Sequence, residues 1–487
     1  MLPRVVGGRD GWGGRGRRHG WGRRDGWDGW EPAERTAPGG LTVGALGWLQ
    51  SPSHAAWLRA EESRLLGFAA GPRDLVDADG RGVLLDAYGR AQPATVPPTF
   101  HTARMAHSYA IAALRGHPGA RPVASALLAG LASEPGPGWA DLPGSGTRAE
   151  SAPAAAPDAT GPGGAAAQDA RQSLYALDHV LLAAASGVAL GDASAPTLLE
   201  RALARLDDVF WEPAALDGVG LGIDRVDSQG EATDYRGMNS NMHLVEALLA
   251  VSDATGDPEW RERALGVCRF VVAEASGRDG RILEHYDGSW HPLPEHNRAR
   301  PDHAFAPFGS TIGHGFEWSR LIAGLADAEG DAELLDGARS LYARAAADGW
   351  NRDSNEGFVY TVDWAGEPVS RQRLWWVAAE AVAAASVLAR VPDRSAGSAD
   401  TNPEAYGADY ERWLDHIATH FIDREHGSWR QRLEATDAGQ AEVEAAERSA
   451  GGTLPGKTDL YHALQSMMIP LLPVATSVIA AIAANRN

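Results

Sequence analysis

The chain has 487 residues and an ordinary apolar fraction of 44%, enough for one large domain or two to three smaller ones with a substantial core. A formal net charge of −20 argues against nucleic acid as a partner, because phosphate backbones are bound by basic patches. Cys268 is the single cysteine, so an intrachain disulfide and a cysteine-rich zinc site are excluded, and a reducing, cytoplasmic compartment fits.

The first 45 residues differ in composition from everything that follows. They are rich in Gly, Arg and Trp and show neither a helical nor a strand period, which predicts a disordered extension or a translated upstream region. The segment has no signal-peptide apolar core. Nowhere does an apolar run of about 18 residues predict a membrane span, so no membrane partner is expected.

Amphipathic helices joined by short turns are predicted for most of residues 46–487, which we interpret as one domain. Helical periodicity covers 52–69, 99–116 and 169–186. Further along, the predicted helices are separated by Gly-Asp pairs that begin at Gly191, Gly256 and Gly330. Glycine suits the left-handed cap that ends a helix, and aspartate can accept N–H groups at the start of the next one. Repeated antiparallel hairpins favour a double ring of inner and outer helices with polar loops at one mouth.

Irregular stretches between the helices are the predicted loops, where functional side chains tend to lie. Low-complexity insertions are predicted near 133–168 and 434–455. Residues 358–364, followed by Gly366, predict a short β-hairpin.

The stretch TIGHGFEW, residues 311–318, contains a distinctive pair of side chains. His314 and Glu317 are three positions apart and share one face if a helix begins here. An imidazole beside a carboxylate suits proton transfer, although an isolated pair of this kind is more often a histidine capped by an acid. Asn239 and Asn241 precede His243 in another predicted helix start, where they suit either sugar hydroxyls or a cap and a core histidine.

Six motifs follow one another along the chain: TARMAHSYA (102–110), RGMNSNMHLVEA (236–247), EHYDGSWHP (284–292), FGSTIGHGFEWSRL (308–321), WWVAAEA (375–381) and GKTDLYHALQSMMIPLLP (456–473). In this order they resemble the N-acylglucosamine 2-epimerase superfamily, and most closely its branch with mannose isomerase and sulfoquinovose isomerase. The resemblance extends from Trp48 to the C-terminus, apart from the two insertions. It implies an all-α fold, an (α/α)6 barrel with short β-hairpins at the mouth, in agreement with the helical hairpins.

The resemblance also implies roles for individual residues. His314 and His462 would transfer protons, with Glu317 orienting His314 and Glu380 doing similar polar work on the other side. Arg104 and His243 would hold sugar oxygens, and Trp375 or Trp376 would stack on a sugar face. From their predicted helix positions, Asn239 and Tyr175 are further candidates for substrate binding.

The implied reaction is aldose–ketose isomerisation of a monosaccharide, with D-mannose to D-fructose as the leading pair and lyxose to xylulose as a second. Removing the C–H proton beside a carbonyl gives an enediolate anion, which imidazole bases and a cation such as Arg104 suit. We assign the carbon proton to His462 and the ring-opening and oxygen protons to His314. No cofactor is expected, and no HExxH spacing predicts a metal site.

Several alternatives stay open at this stage. A sulfoquinovose isomerase is expected to carry arginine where residues 303–306 have the sequence HAFA, which favours an uncharged sugar. A 2-epimerase of cellobiose or N-acylglucosamine would use the same two histidines. A non-catalytic sugar-binding barrel and a glycoside hydrolase, which needs two opposed carboxylates, are the remaining options. The chain is expected to be a monomer or a homo-oligomer.

Overall fold

The computed structural model describes residues 47–486 except 70, 72–73, 93–94, 137, 142–170, 228, 304, 393–402 and 435–455. The predicted extension 1–45 and most of both predicted insertions lie outside the described residues. Residues Gly44–Asn487 form one compact unit. In the part of the chain that the structure describes, no helix is both long enough and apolar enough to cross a membrane.

Thirteen main helices are found in the described residues. In chain order they are α1 (Pro52–Leu66), α2 (Thr99–Leu114), α3 (Ala120–Ser133), α4 (Leu174–Leu190), α5 (Ala195–Arg205), α6 (Met238–Thr255), α7 (Pro258–Ser276), α8 (Ile312–Glu329), α9 (Ala332–Gly349), α10 (Trp375–Leu388), α11 (Pro403–His416), α12 (Tyr461–Met468) and α13 (Val478–Ala484).

The even-numbered helices α2 to α12 form an inner ring, and each packs on the next until α12 returns to α2. The odd-numbered helices α1 to α11 form the outer ring, and α13 packs against α2 and α6. The predicted (α/α)6 barrel is therefore confirmed.

Helices of the two rings differ in sequence because inner helices are covered on all sides. In α8 every residue from Ile312 to Ala326 is buried, whereas α9 buries a stripe at helical spacing that includes Leu334, Leu341 and Tyr342. Small residues let the rings approach closely. A Cβ added at Gly315 of α8 would lie 2.9 Å from the Cβ of Ala345 in α9.

The predicted Gly-Asp turns are confirmed between consecutive helices. Gly191, Gly256 and Gly330 end α4, α6 and α8 in the left-handed conformation, with φ of 73°, 75° and 68°. Asp257 and Asp331 then cap α7 and α9, each accepting a backbone N–H of the first turn. These turns reverse the chain and place successive inner helices in the same direction.

Ten two-residue strands lie in the loops that the structure describes. They are β1 (Gln172–Ser173), β2 (Trp211–Glu212), β3 (Leu221–Gly222), β4 (Arg225–Val226), β5 (Arg236–Gly237), β6 (His285–Tyr286), β7 (Ser310–Thr311), β8 (Thr361–Val362), β9 (Arg373–Leu374) and β10 (Arg432–Leu433). β1, β5, β7 and β9 lead directly into α4, α6, α8 and α10 and pair antiparallel with β4, β6, β8 and β10, while β2 pairs with β3. The predicted hairpin contains β8, with Val362 bridged to Pro368. These pairs therefore surround the mouth at the N-terminal ends of the inner helices.

Most of the remaining short helical segments adjoin longer helices. Helices α5 and α11 continue into π-helical turns at Leu206–Phe210 and Ile417–Phe421. Turns of 3₁₀-helix occur at Gly47–Gln50 and Ile469–Leu471, and a distorted helical turn at Ala215–Gly218.

Candidate active site

The two histidines predicted to transfer protons lie near the N-terminal ends of inner helices and are both buried. His314 Nδ1 is 2.9 Å from Glu284 Oε1, and His462 Nδ1 is 2.7 Å from Glu380 Oε1. A carboxylate only accepts, so each Nδ1 carries a hydrogen in the neutral ring. Each Nε2 is therefore left with a lone pair, which is the form a general base needs.

The indole of Trp376 lies close to both imidazoles. Its ring centroid is 5.4 Å from that of His314 and 5.7 Å from that of His462. Gly313 permits this position, because an added Cβ would lie 2.1 Å from the indole. Trp375 is buried with its ring 5.7 Å from His462. The structure thus brings His314, His462 and both predicted tryptophans together.

The prediction that Glu317 orients His314 is wrong, because Glu284 occupies that place. Glu284 directly precedes β6, and its carbonyl accepts from Met238 N at the start of α6. Glu317 is instead 3.8 Å from His243 Nδ1, and neither of its oxygens has a hydrogen-bond partner among the described residues. Burial, reinforced by the charge of Glu380, raises the pKa of Glu317 well above its ordinary value. Its buried position therefore favours the uncharged form of Glu317.

A buried arginine, Arg320, lies one helical turn after Glu317, near the side chains of three glutamates. Its Nε donates to Glu380 Oε2 at 2.9 Å, and its Nη2 is 3.8 Å from Glu246 and 3.9 Å from Glu317. Although burial opposes ionisation, Arg320 and the hydrogen bond with His462 hold the pKa of Glu380 below its ordinary value. Arg320 therefore keeps Glu380 charged, and Glu380 fixes the ring of His462.

Arg104 donates to three side chains, two on α4 and one in the loop before α12. Its Nε donates to His179 Nε2 at 2.8 Å and its Nη2 to the Tyr175 hydroxyl at 2.7 Å. Its Nη1 donates to Asp459 Oδ2 at 2.6 Å, so part of its charge is neutralised. Because the Tyr175 oxygen accepts from Arg104, its own O–H remains available as a donor. Phe305 packs edge-on against Tyr175 with ring centroids 5.7 Å apart.

His243 stands next to Tyr175, with ring centroids 5.1 Å apart. Burial lowers the pKa of His243 to about 4, so this imidazole is neutral at pH 7. Asn239 is half-buried in the first turn of α6. Asn241 has a structural role instead, because its amide binds the backbone N–H and carbonyl of Gly222.

Two groups of buried side chains have ligand atoms within 4.8 Å of one another, as a metal site requires: His243, Glu246 and Glu317, and Glu317, Glu380 and His462. Arg320 reaches all three of these glutamates and supplies the positive charge that would otherwise come from a metal ion. That no metal is needed stays a prediction.

Sequence reasoning missed several residues of this site. Arg320 and Glu246 follow Glu317 and His243 by three positions, so helical periodicity alone places them one turn deeper on the same face. Glu284 stands beside His285 in a motif already singled out, but its contact with His314 depends on the strands around the mouth. Asp459 similarly gave no signal, because its partner Arg104 lies 355 residues away.

Comparison with known proteins identifies the family of the chain. A sequence profile of the N-acylglucosamine 2-epimerase (GlcNAc 2-epimerase) family matches residues 81–466. The chain belongs to the N-acylglucosamine 2-epimerase family. The family inferred from the motifs is thereby confirmed, and the protein is an enzyme of the isomerase class.

Two curated relatives match along nearly their whole length. The D-mannose isomerase of Thermobifida fusca is 39% identical over 446 residues, which cover 90% of this chain and 98% of that protein. The D-mannose isomerase of Pseudomonas cannabina pv. alisalensis is 36% identical over 454 residues, covering 90% and 97%.

Solved structures agree on the fold. A crystal structure of D-mannose isomerase superposes with a TM-score of 0.71 at 23% identity, covering 85% of this chain and 97% of that one. Cellobiose 2-epimerase from Spirochaeta thermophila DSM 6192 gives a TM-score of 0.65 at 16% identity, covering 92% and 100%.

Two isosteric substitutions separate the roles of the glutamates near His314. Glu284→Gln is expected to lower kcat by roughly 10²-fold or more, because it removes the charge that supports Nε2 and lets an amide N–H compete for Nδ1. Glu317→Gln is expected to change kcat by less than about 10-fold, because burial already favours the uncharged form of this side chain and no hydrogen bond to it is lost. Steady-state kinetics on both folded variants measure the difference, and an equal or larger loss in Glu317→Gln would contradict the assignment.

Proposed function

We propose that this protein interconverts D-mannose and D-fructose through a 1,2-enediolate, without a metal ion. The sugar is supported by two D-mannose isomerases that are 36% and 39% identical across 90% of this chain. The chemistry is supported above all by one observation: two imidazoles, each held through Nδ1 by a carboxylate, have their ring centroids 5.4 and 5.7 Å from the same indole.

Ring opening comes first in the proposed sequence. His314 Nε2 accepts the proton of the anomeric hydroxyl and returns it to the ring oxygen as the C1–O5 bond breaks, which leaves an aldehyde at C1. Glu284 stabilises the imidazolium that forms while the proton is in transit.

Isomerisation then moves a proton between neighbouring carbons. His462 Nε2 removes the proton from C2, and the electron pair forms the C1=C2 bond while the negative charge moves to O1. His314 exchanges the hydroxyl protons between O2 and O1, and His462 returns its proton to C1, which leaves the carbonyl of the ketose at C2. Arg320 supports this step indirectly, because it keeps Glu380 ionised next to the imidazolium of His462.

Neutral hydrogen-bond donors surround the place where charge develops. The O–H of Tyr175 is polarised by Arg104, and the neutral ring of His243 lies beside it. Donors fixed in a buried site stabilise an enediolate more than the neutral sugar. Trp376 offers a flat apolar face beside the two bases, where a sugar carbon skeleton can stack.

A product analysis tests the proposed function. The purified protein, incubated with D-mannose and an excess of EDTA, is expected to form D-fructose as the first product at the same rate as without the chelator, and to convert D-lyxose to xylulose. Glucose as the first product would show a 2-epimerase instead. Turnover of sulfoquinovose but not mannose, or activity lost with EDTA and restored by a divalent ion, would equally contradict the proposal.

A further inference from the structure

A third group of side chains that could ligate a metal ion lies at the end of α11 and in a neighbouring loop, apart from the residues around His314 and His462. It consists of Glu356, in the loop after α9, and of His416 and His420, at the end of α11 and in its π-helical turn. One ligand atom of each residue lies within 4.8 Å of the others. His416 Nδ1 is 3.3 Å from Glu356 Oε1, and His420 Nε2 is 4.0 Å from Glu356 Oε2.

The position of the His416 ring is fixed by its surroundings. The ring is buried and stands edge-on to Trp350 at 5.3 Å, with an interplanar angle of 83°. Its Nε2 faces Gly357, where an added Cβ would lie 2.9 Å away, so Nδ1 is the nitrogen presented to Glu356. The side chains of His420 and Glu356 are 44% and 57% exposed, which gives an ion a path from solvent.

The π-helical turn itself belongs to the fold, since α5 ends in the same kind of turn at Leu206–Phe210. The positions equivalent to His416 and His420 are occupied there by Arg205 and Val209. The two imidazoles are therefore a local feature of the turn after α11 and are not required to form it.

We propose that Glu356, His416 and His420 bind one divalent transition-metal ion of the zinc type. Two imidazole nitrogens and one carboxylate oxygen are a donor set that zinc prefers, with the fourth position left to water. The ion would join the loop after α9 to α11. This loop continues to Tyr360, whose carbonyl accepts from Ile312 N at the start of α8, so metal binding would stabilise the chain leading to the mouth.

Cobalt and zinc titrations of the chelator-treated, full-length protein test the site. Co²⁺ is expected to give visible d–d bands that saturate at one ion per chain, and Zn²⁺ to raise the midpoint of thermal unfolding. His420→Ala and Glu356→Gln, both at exposed side chains, are expected to weaken Co²⁺ binding by more than about 100-fold. Removing a group that only hydrogen-bonds to a metal ligand typically weakens binding by roughly 10–100-fold, so loss of a ligand itself should cost more. Both variants should abolish the thermal shift.

A matched control is available at another exposed histidine. His291 Nδ1 is 3.0 Å from the carboxylate of Asp287, four residues earlier on the chain. Unlike His416 and His420, it belongs to no three-ligand group among the described residues. His291→Ala is expected to bind Co²⁺ like the unmodified protein. Equal Co²⁺ affinity in His420→Ala and the unmodified protein would overturn the proposal. Co²⁺ binding that inhibits turnover and persists in His420→Ala would overturn it too, because the ion would then lie near His314 and His462.

Discussion

Replacing either His462 or His314 with glutamine is expected to lower kcat for mannose–fructose conversion by roughly 10²–10⁴-fold. Glutamine fills a similar space and can still hydrogen-bond to the partner carboxylates, Glu380 and Glu284. It has no nitrogen that can take up a proton near neutral pH, so only proton transfer is removed. The conversion of D-mannose, followed by the appearance of fructose, measures the loss.

His107→Gln is the matched control for these substitutions. His107 is a buried inner-ring histidine on α2 that contacts Ser186 Oγ at 2.8 Å rather than a carboxylate. Burial lowers the pKa of His107 to about 4, so it is neutral at pH 7 and glutamine preserves its charge. We expect turnover within a few-fold of the unmodified enzyme. Wild-type turnover in both His462→Gln and His314→Gln would refute the proposed bases.

Arg320→Met is expected to lower the free energy of unfolding by about 3–5 kcal/mol, the usual effect of removing one partner from a buried ion pair. The substitution leaves Glu380 and Glu246 buried without their shared cation. Turnover should fall as well, because Glu380 would no longer be held in place beside His462. Urea unfolding monitored by circular dichroism measures the stability change.

The pH dependence of this loss has a defined sign. Burial opposes ionisation, but Arg320 holds the pKa of Glu380, and His243 and Arg320 hold that of Glu246, below their ordinary values. Carboxylates with lowered pKa stabilise the fold above their unfolded pKa and lose this contribution as pH falls through the folded pKa. The difference between the enzyme and Arg320→Met should therefore be largest near neutral pH and shrink on acidification.

A surface pair provides the comparison for Arg320. Arg298 and Glu295 form an i,i+3 ion pair with side chains 69% and 59% exposed. Arg298→Met should change the free energy of unfolding by less than about 1 kcal/mol. A loss in Arg320→Met no larger than in Arg298→Met would show that the buried cluster does not depend on its arginine.

The fold could be predicted from local signals because each helical hairpin is specified locally. Gly191, Gly256 and Gly330 mark reversals of the chain that depend only on a left-handed glycine. An amphipathic helix on either side of each reversal then determines which face is buried. The closure of six hairpins into a ring follows from burying every inner helix on all sides.

The site could be predicted only where its contacts follow the helical period or the family motifs. The motifs implied His314 and His462, and the structure places both rings next to Trp376. The partner of His314 could not be predicted from spacing, because a face shared with Glu317 does not determine which way an imidazole turns. Glu284 reaches it from the end of another loop, through the pairing of β5 with β6 around the mouth.

Deuterium exchange at C1 of fructose tests the central claim most directly, because it follows the carbon proton itself. With D-fructose in D₂O, the enzyme is expected to replace the C1 proton with deuterium, since a proton held on the imidazole of His462 exchanges with solvent. His314→Gln should still exchange C1, more slowly, because some fructose opens unaided, whereas His462→Gln should show no exchange by NMR. Exchange in His462→Gln at the rate of the unmodified enzyme would contradict the account.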